Sequence, residues 1–327
     1  MTTKSLITVA TLSLFAAIVL AVPVPAAPTK KASPPTRPTP PAATDNGNVD
    51  LAYGAFQRGL YLTAITEATK RAEQNDAAAM TLLGEIYAQG LGVGRDDSKA
   101  SQWYKLAAAH GDRDAMFALA MFDLEGRAGP RDHDGAARLL AEAAKRGHAP
   151  AAYDLGLLYL QGQQFPQDFA RAAELFKQAA GAGNSEAQYA LATMYKEGRG
   201  VPKDLNEATR LMGLASVAGN LDAMVEYAIA QFNGDGITKN ETAAANLFLI
   251  SARRGSPIAQ DRLSRILMAG RGMPANPTEA VKWHMIAKAG GASDPDLDVY
   301  AGQQTPAVRD AAEKAAKKWL STLPPRT

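Results

Sequence analysis

The sequence of 327 residues contains no cysteine and only four histidines. The absence of cysteine excludes disulfide bonds, thiolate metal sites, cysteine nucleophiles and a lipid-modified N-terminal cysteine. The scarcity of histidine leaves few side chains for metal binding or for acid–base catalysis at neutral pH. The composition therefore argues against several classes of enzyme before any motif is considered.

Net charge is the next property of which the chain has little. The 35 Lys and Arg residues are nearly balanced by 33 Asp and Glu residues, which gives a formal net charge of +2. A nucleic-acid-binding protein needs a concentrated basic surface, so we expect no nucleic-acid partner. With 46% hydrophobic residues, the chain is too apolar to be disordered over its whole length.

One long hydrophobic run is present, and it lies near the N terminus. Lys4 precedes an uncharged apolar stretch from Leu6 to Val22, which is followed by Pro23 and by Pro25-Ala26. This order is typical of a secretory signal peptide, so we predict cleavage after residue 26 and a location in the periplasm or outside the cell, with no stable membrane span afterwards. An uncleaved membrane anchor is the alternative, but the run is barely long enough to cross a bilayer, which favours cleavage. Residues 27–48 are rich in proline and are predicted to form a disordered linker.

Internal repetition is the strongest feature of the sequence. Small residues recur at intervals of 36 residues, six times each, in units that fill residues 76–291 without an insertion. One series consists of Ala79, Ala115, Ala151, Ala187, Ala223 and Ala259. The second consists of Gly90, Gly126, Gly162, Gly198, Gly234 and Gly270. A third series starts at Ala100 and a fourth at Gly111.

Each unit has the pattern of two short helices, A and B. Side chains that can cap helix A occur at Asp76, Asp112, Asn184, Asn220 and Ser256, with His148 as the weak member. Side chains that can cap helix B are Asp96, Asp132, Asp168, Asp204, Asn240 and Asn276. The Gly90 series follows helix A, where a left-handed residue is needed. We expect helix B to bury Ala100, Trp103, Ala107 and their equivalents.

This pattern resembles the Sel1-like repeat family, a relative of the tetratricopeptide repeats. The first unit carries the family motif as Ala79, Leu83, Gly84, Tyr87, Gly90, Gly92, Val93, Asp96, Ala100, Trp103, Tyr104, Ala107, Ala108 and Gly111. The second unit departs from it at Asp123, where tyrosine is expected. The resemblance implies an all-α fold, a right-handed α-solenoid of antiparallel helix hairpins.

The segments on either side of the repeats are predicted to cover the ends of the solenoid, as a repeat array requires. Residues 49–75 have the pattern of a shortened capping hairpin, and residues 292–327 that of C-terminal capping helices. In the last helix, we expect the buried stripe to consist of Val308, Ala311, Ala315 and Trp319.

Motifs of known catalytic and cofactor sites are missing from the sequence, including GxSxG, the P-loop, HExxH and CxxC. The Asp132-His133-Asp134 triplet could bind a metal, but capping of helix B already explains Asp132. His284 takes the core position of Tyr104, which favours a packing role. We therefore predict that the protein is not an enzyme and that it has no catalytic residues, no cofactor and no metal.

The resemblance also implies that helix A lines the concave surface of the solenoid. Positions two, six and nine after the recurring alanine would then face a groove, which is apolar in the middle units and polar at the ends. The predicted partner-binding residues are Phe117, Met121, Leu124, Tyr153, Leu157, Leu160, Tyr189, Val225, Ile229 and Phe232. The alternative is that these side chains pack between adjacent A helices and form part of the core.

The function implied by the resemblance is that of a monomeric, non-enzymatic adaptor or regulator that binds a protein or peptide in the cell envelope. One alternative is a hydrolase that acts on the cell wall or on β-lactams. The exported relatives linked with β-lactam binding carry paired cysteines in each repeat, however, and this chain has none. A second alternative is a structural spacer in the envelope.

Overall fold

A computed structural model describes residues 50–162 and 166–322, which form sixteen α-helices and no strand. The first eight helices are α1 (Leu51–Gln57), α2 (Tyr61–Ala72), α3 (Ala77–Gln89), α4 (Asp97–Ala109), α5 (Arg113–Glu125), α6 (His133–Lys145), α7 (Ala149–Gln161) and α8 (Phe169–Gly181). The others are α9 (Ser185–Glu197), α10 (Leu205–Val217), α11 (Leu221–Asn233), α12 (Glu241–Arg253), α13 (Pro257–Ala269), α14 (Pro277–Ala289), α15 (Pro295–Gln303) and α16 (Pro306–Leu320). The predicted signal peptide (1–26) and linker (27–48) lie outside the described residues.

The repeats form an array in which each helix packs on the next one along the chain. The A helices are α3, α5, α7, α9, α11 and α13, and the B helices are the even-numbered helices from α4 to α14. Each of these helices has 13 residues. The predicted all-α solenoid of helix hairpins is confirmed. Within the described residues, every helix is too short or too polar to cross a membrane.

Each repeat helix begins at a capping side chain, as the sequence predicts. The Asp, Asn and Ser caps accept a hydrogen bond from the backbone N–H three residues later, over distances of 2.7–3.3 Å. His148 also caps its helix, because its Nδ1 accepts from the backbone N–H of Ala151 at 3.0 Å. At the other end, each A helix stops at a left-handed glycine such as Gly90, with φ of 70°.

Small residues on helix A let helix B approach closely. A Cβ atom on Gly84 would lie 2.5 Å from Cε1 of Tyr104, so a larger residue there would force this ring to move. Tyr104 is buried, whereas Trp103 is only half-buried. The prediction that helix B buries Trp103 is therefore wrong for this unit, because the smaller ring of Tyr104 points at the gap left by the glycine.

The last two helices follow the sixth repeat, and α16 packs on α14. The ring of Trp319 meets that of Trp283 edge to face, with centroids 5.8 Å apart. The predicted buried stripe of α16 is partly wrong, because Ala311 is exposed while Ala312 and Ala316 are buried. The adjacent alanines at 311–312 and at 315–316 are equally apolar, so the sequence pattern could not tell which member of each pair faces the core.

Candidate partner-binding site

The ten predicted partner-binding residues lie on four A helices, α5, α7, α9 and α11. Nine of them are half-buried, and only Val225 is buried, with 4% of its surface exposed. The half-buried members include Phe117, Tyr153 and Leu157, which pack against the core cluster of the middle repeats. These side chains are therefore held by the core on one side and present apolar surface on the other.

A first cavity, of about 410 Å³, lies along α7 and α9 and reaches the start of α11. It brings together three of the predicted residues, Tyr153, Leu160 and Tyr189. Burial, followed by the influence of nearby carboxylates, raises the pKa of both tyrosines, so their hydroxyls remain protonated and can donate hydrogen bonds.

The rim of this first cavity is mainly acidic. Among the described lining residues, Glu186, Glu197 and Asp222 are joined by one cation, Arg199. Arg199 lies 3.4 Å from Glu197, and its guanidinium stands over the ring of Phe169 at 4.4 Å. The cavity thus combines aromatic walls with an excess of carboxylates.

A second cavity, of about 330 Å³, lies between α11 and α13. Two predicted residues, Ile229 and Phe232, form part of its wall, and Phe248 and Ile266 are also in its lining. Phe248 and Ile266 are not among the predicted residues, because Phe248 belongs to helix B and Ile266 does not occupy a selected position.

Arginine side chains give the second cavity its polar rim. Arg262, Arg265 and Arg271 line it, and the described lining residues include no carboxylate. Arg271 stands over the ring of Phe232, 4.5 Å from its centroid, and donates to Glu241. Its hydrogen bond and that of Lys239 lower the pKa of Glu241 to about 2.

The arginine of this stacking arrangement recurs in alternate repeats, and this regularity is visible in the sequence. Arg127, Arg199 and Arg271 are separated by two repeat lengths each. Every one of them stands over a phenylalanine ring, at 4.0–4.5 Å from the centroid. A guanidinium on an aromatic face is held in place by cation–π attraction, so these side chains are fixed features of the surface.

The remaining predicted residues do not line these two cavities. They are Phe117, Met121, Leu124, Leu157 and Val225. The ring of Phe117 lies against that of His148, with centroids 4.6 Å apart, and so supports the cap of α7. Among the residues that the structure describes, no group of three or more His, Asp or Glu side chains could hold a metal ion.

This architecture is similar to that of known repeat proteins. The Sel1 repeat profile matches residues 77–112, 113–148, 149–184, 185–220, 221–256 and 257–290. A Sel1 repeat protein from Oxalobacter formigenes has a similar structure, with a TM-score of 0.62 and 28% identity; the match covers 76% of this chain and 100% of that one. A search of curated proteins by sequence gives no match.

A second similar structure is that of c5321, a protective antigen present in uropathogenic Escherichia coli strains, with a TM-score of 0.53 and 23% identity. That match covers 80% of this chain and 64% of the other, and it supports the fold alone. Proteins of Sel1 repeats are generally scaffolds for protein interactions and are typically non-catalytic. Because six consecutive repeats account for more than half of the sequence, the chain belongs to the Sel1 repeat family.

Proposed function

We propose that the protein is a non-enzymatic adaptor or regulator that binds a polypeptide segment on the A-helix face of its repeats. The observation that carries this proposal is the pair of apolar cavities between successive A helices, α7–α9 and α11–α13, which together contain five of the ten predicted residues. Concave apolar surface with a polar rim is the usual form of a binding site for a peptide side chain.

The packing of the cavity walls favours tight binding. Tyr153 lies against the buried ring of Phe176, with centroids 5.7 Å apart, and Phe232 is covered by Arg271. Side chains that are already held by neighbours lose little conformational entropy when a ligand arrives, and aromatic walls offer a large contact area. The A-helix face is thus organised before the partner binds.

We place the protein in the periplasm or outside the cell. This part of the proposal rests on the signal-like segment from Lys4 to Ala26. Cell fractionation with N-terminal sequencing tests it. A mature N terminus at Ala27 in the periplasmic fraction is expected, and an intact protein in the cytosol would contradict the proposal.

Site-specific photocrosslinking tests the binding face. A photoreactive residue at Tyr189, in the α7–α9 cavity, is expected to capture a polypeptide in intact cells. The matched control is Val217 at the end of α10, which is 91% exposed but lies on a B helix. Equal capture at both positions, or none at Tyr189, would contradict binding on the A-helix face.

A second experiment separates binding from packing. Phe117→Asp, Leu157→Asp and Phe232→Asp are compared one at a time by circular dichroism and thermal melting. If a side chain serves mainly the core, its replacement by a charge costs several kcal/mol. Retention of the melting temperature with loss of the crosslinked product is expected at Phe232, which lines a cavity.

The two alternatives that the sequence leaves open have direct tests. Turnover of a chromogenic β-lactam by the purified protein would support a hydrolase. Sedimentation with isolated peptidoglycan, without any crosslinked polypeptide, would support a structural spacer. We expect neither result.

A further inference from the structure

We propose that the cavity between α11 and α13 selects a peptide segment in which an apolar side chain is flanked by carboxylates. This inference rests on the proposed function and names the chemistry of the segment that this cavity takes. It is carried by the apolar wall of the cavity and by three arginines at its rim.

The wall suits an apolar side chain. Phe248 and Ile266 are 2% and 4% exposed, so the deep part of the cavity is formed by core residues. Ile229, Phe232 and Met268 complete the apolar lining and are half-buried. The volume of about 330 Å³ is at the lower end of the range for ligand pockets, roughly 300–1,000 Å³. This space accommodates side chains of a peptide rather than a folded surface.

The three arginines differ in their partners. Arg265 donates to Asp294 at 2.6 Å and to Asp296 at 3.3 Å, and Arg271 is paired with Glu241. These carboxylates lie outside the cavity lining and hold the two guanidiniums at its rim. Arg262 is exposed and forms no hydrogen bond or salt bridge with another described residue, although Asp261 precedes it in the sequence. Its five N–H donors are therefore available to a ligand.

Comparison with the preceding repeat shows what is unusual about Arg262. The equivalent residue one repeat earlier is Glu226, which forms a salt bridge of 2.7 Å with Lys196 on the neighbouring A helix. One repeat after Lys196, the corresponding residue is Phe232. The protein's own ion pair is thus replaced by a guanidinium beside an aromatic wall, and a carboxylate from a ligand would restore the missing partner.

The charge of the rim differs between the two cavities on the A-helix face. The cavity along α7 and α9 has three carboxylates and one arginine in its lining, whereas the described lining of the α11–α13 cavity has three arginines and no carboxylate. A general preference for anions along the A-helix face would not give this difference. Because Arg265 and Arg271 already have carboxylate partners, the unpaired Arg262 is the group that favours an acidic segment at α11–α13.

Binding of three synthetic peptides to the full-length protein, followed by fluorescence anisotropy, tests the inference. The peptides share a central Phe-Leu pair with acetylated and amidated ends, and they carry two Glu, two Gln or two Lys residues on its flanks. The Glu peptide is expected to bind about tenfold more tightly than the Gln peptide, because it forms charge-assisted hydrogen bonds. Added salt should reduce this preference.

Two variants locate the effect. Arg262→Glu is expected to abolish the preference for the Glu peptide and to favour the Lys peptide, while its melting curve stays near that of the parent. Arg138→Glu, at an exposed arginine on α6, is the matched charge reversal and should leave all three affinities unchanged. An equal loss of Glu-peptide binding in both variants would overturn the assignment to this cavity.

The outcomes distinguish this inference from the proposed function. Equal affinity for the Glu and Gln peptides, or no binding of either, overturns the carboxylate preference, and crosslinking at Tyr189 then decides separately whether the A-helix face binds polypeptides. Displacement of the Glu peptide by phosphatidylglycerol vesicles at comparable anion concentration would indicate a general polyanion site and would also overturn the inference.

Discussion

Gly156 and Phe176 are packed so closely that a Cβ atom on Gly156 would lie 2.6 Å from Cε1 of the phenylalanine ring. The ring is completely buried between α7 and α8. Gly84 and Tyr104 have the same relationship two repeats earlier. In these two repeats, a glycine on helix A, which has no side chain, therefore faces a large aromatic ring on helix B.

Replacing Gly156 by alanine is expected to lower the free energy of unfolding by about 1–3 kcal/mol, because the added methyl group overpacks a filled core. Urea denaturation followed by circular dichroism measures this. Gly181→Ala is the matched control, since a Cβ there meets nothing within 4 Å. That substitution should be neutral or stabilising by up to about 1 kcal/mol, owing to helix propensity.

The double variant Gly156→Ala/Phe176→Leu should recover part of the lost stability. The second repeat already combines Ala120 with Leu140 at the same two positions. The fifth repeat combines Ala228 with Phe248, so the match in size is not complete along the chain. If the double variant is as unstable as the sum of the single ones, close contact between residues 156 and 176 is not the cause.

Most of the fold could be predicted because its determinants are local and are repeated six times. A capping side chain such as Asp76, or a glycine such as Gly90, acts within its own turn of the chain, so the sequence position alone defines its role. Helix order and hairpin length follow from the same local signals. The burial of Trp103 and of Ala311 was predicted wrongly, because in each case two adjacent apolar residues compete for one buried position.

The site was harder to predict because it depends on neighbours from different repeats. Ile229 and Phe232 could be selected from their register on helix A. The arginine rim could not, since Arg262 and Arg271 meet at one cavity only when α13 and the loop after it are stacked on α11. Val225 occupies a predicted groove position but is buried, which shows that register alone does not determine exposure.

His148 is predicted to make the stability of the protein sensitive to mild acid. Its Nδ1 accepts from Ala151, which requires a neutral ring, and burial lowers the pKa of His148. The unfolded chain therefore binds this proton more readily, so stability falls as the pH drops below about 6.5, the ordinary value for histidine. Melting temperatures between pH 8 and pH 5 measure the effect.

His148→Asn separates capping from protonation. Asparagine caps the equivalent helix at Asn184 and does not titrate in this range. The variant loses the contact with Phe117 at every pH. Its melting temperature relative to that of the parent protein should nevertheless be higher at pH 5 than at pH 8. His148→Ala should cost about 1 kcal/mol at pH 8. A difference that does not change with pH would rule out protonation of His148 as the cause.

Asp154 on α7 should have the opposite dependence on pH. Burial raises the pKa of Asp154 to about 6, so the folded protein holds this proton more tightly than the unfolded chain does. The carboxylate therefore destabilises the fold increasingly from about pH 4 to pH 6 and fully above that range. Asp154→Asn should raise the melting temperature at pH 8 and have a much smaller effect at pH 4.

An exposed aspartate provides the control for this measurement. Asp310→Asn removes a carboxylate from the exposed surface of α16 and controls for the substitution itself. If the gain from Asp154→Asn is the same at pH 4 and pH 8, titration of Asp154 in this range does not contribute to stability.

The final prediction concerns the attachment of the C-terminal helices to the last repeat. Asp294 accepts from Nε of Arg265 at 2.6 Å and also caps α15 through the backbone N–H groups of Asp296 and Leu297. Its side chain is 4% exposed, whereas that of Asp296, which also pairs with Arg265, is 79% exposed. Asp294→Ala should therefore cost about 2 kcal/mol or more, and Asp296→Ala should change little.

Two probes can show whether the loss is local. In a Trp103→Phe background, fluorescence of Trp283 and Trp319, whose rings are in contact, reports on docking of α16, while circular dichroism reports on all helices. Because stability in a repeat array is the sum of contributions from neighbouring units, Asp294→Ala should lower the urea midpoint more by fluorescence than by circular dichroism. Asp294→Asn keeps a capping oxygen and should have an intermediate effect. Equal shifts by both probes would mean that the array unfolds as one unit and that Asp294 does not act locally.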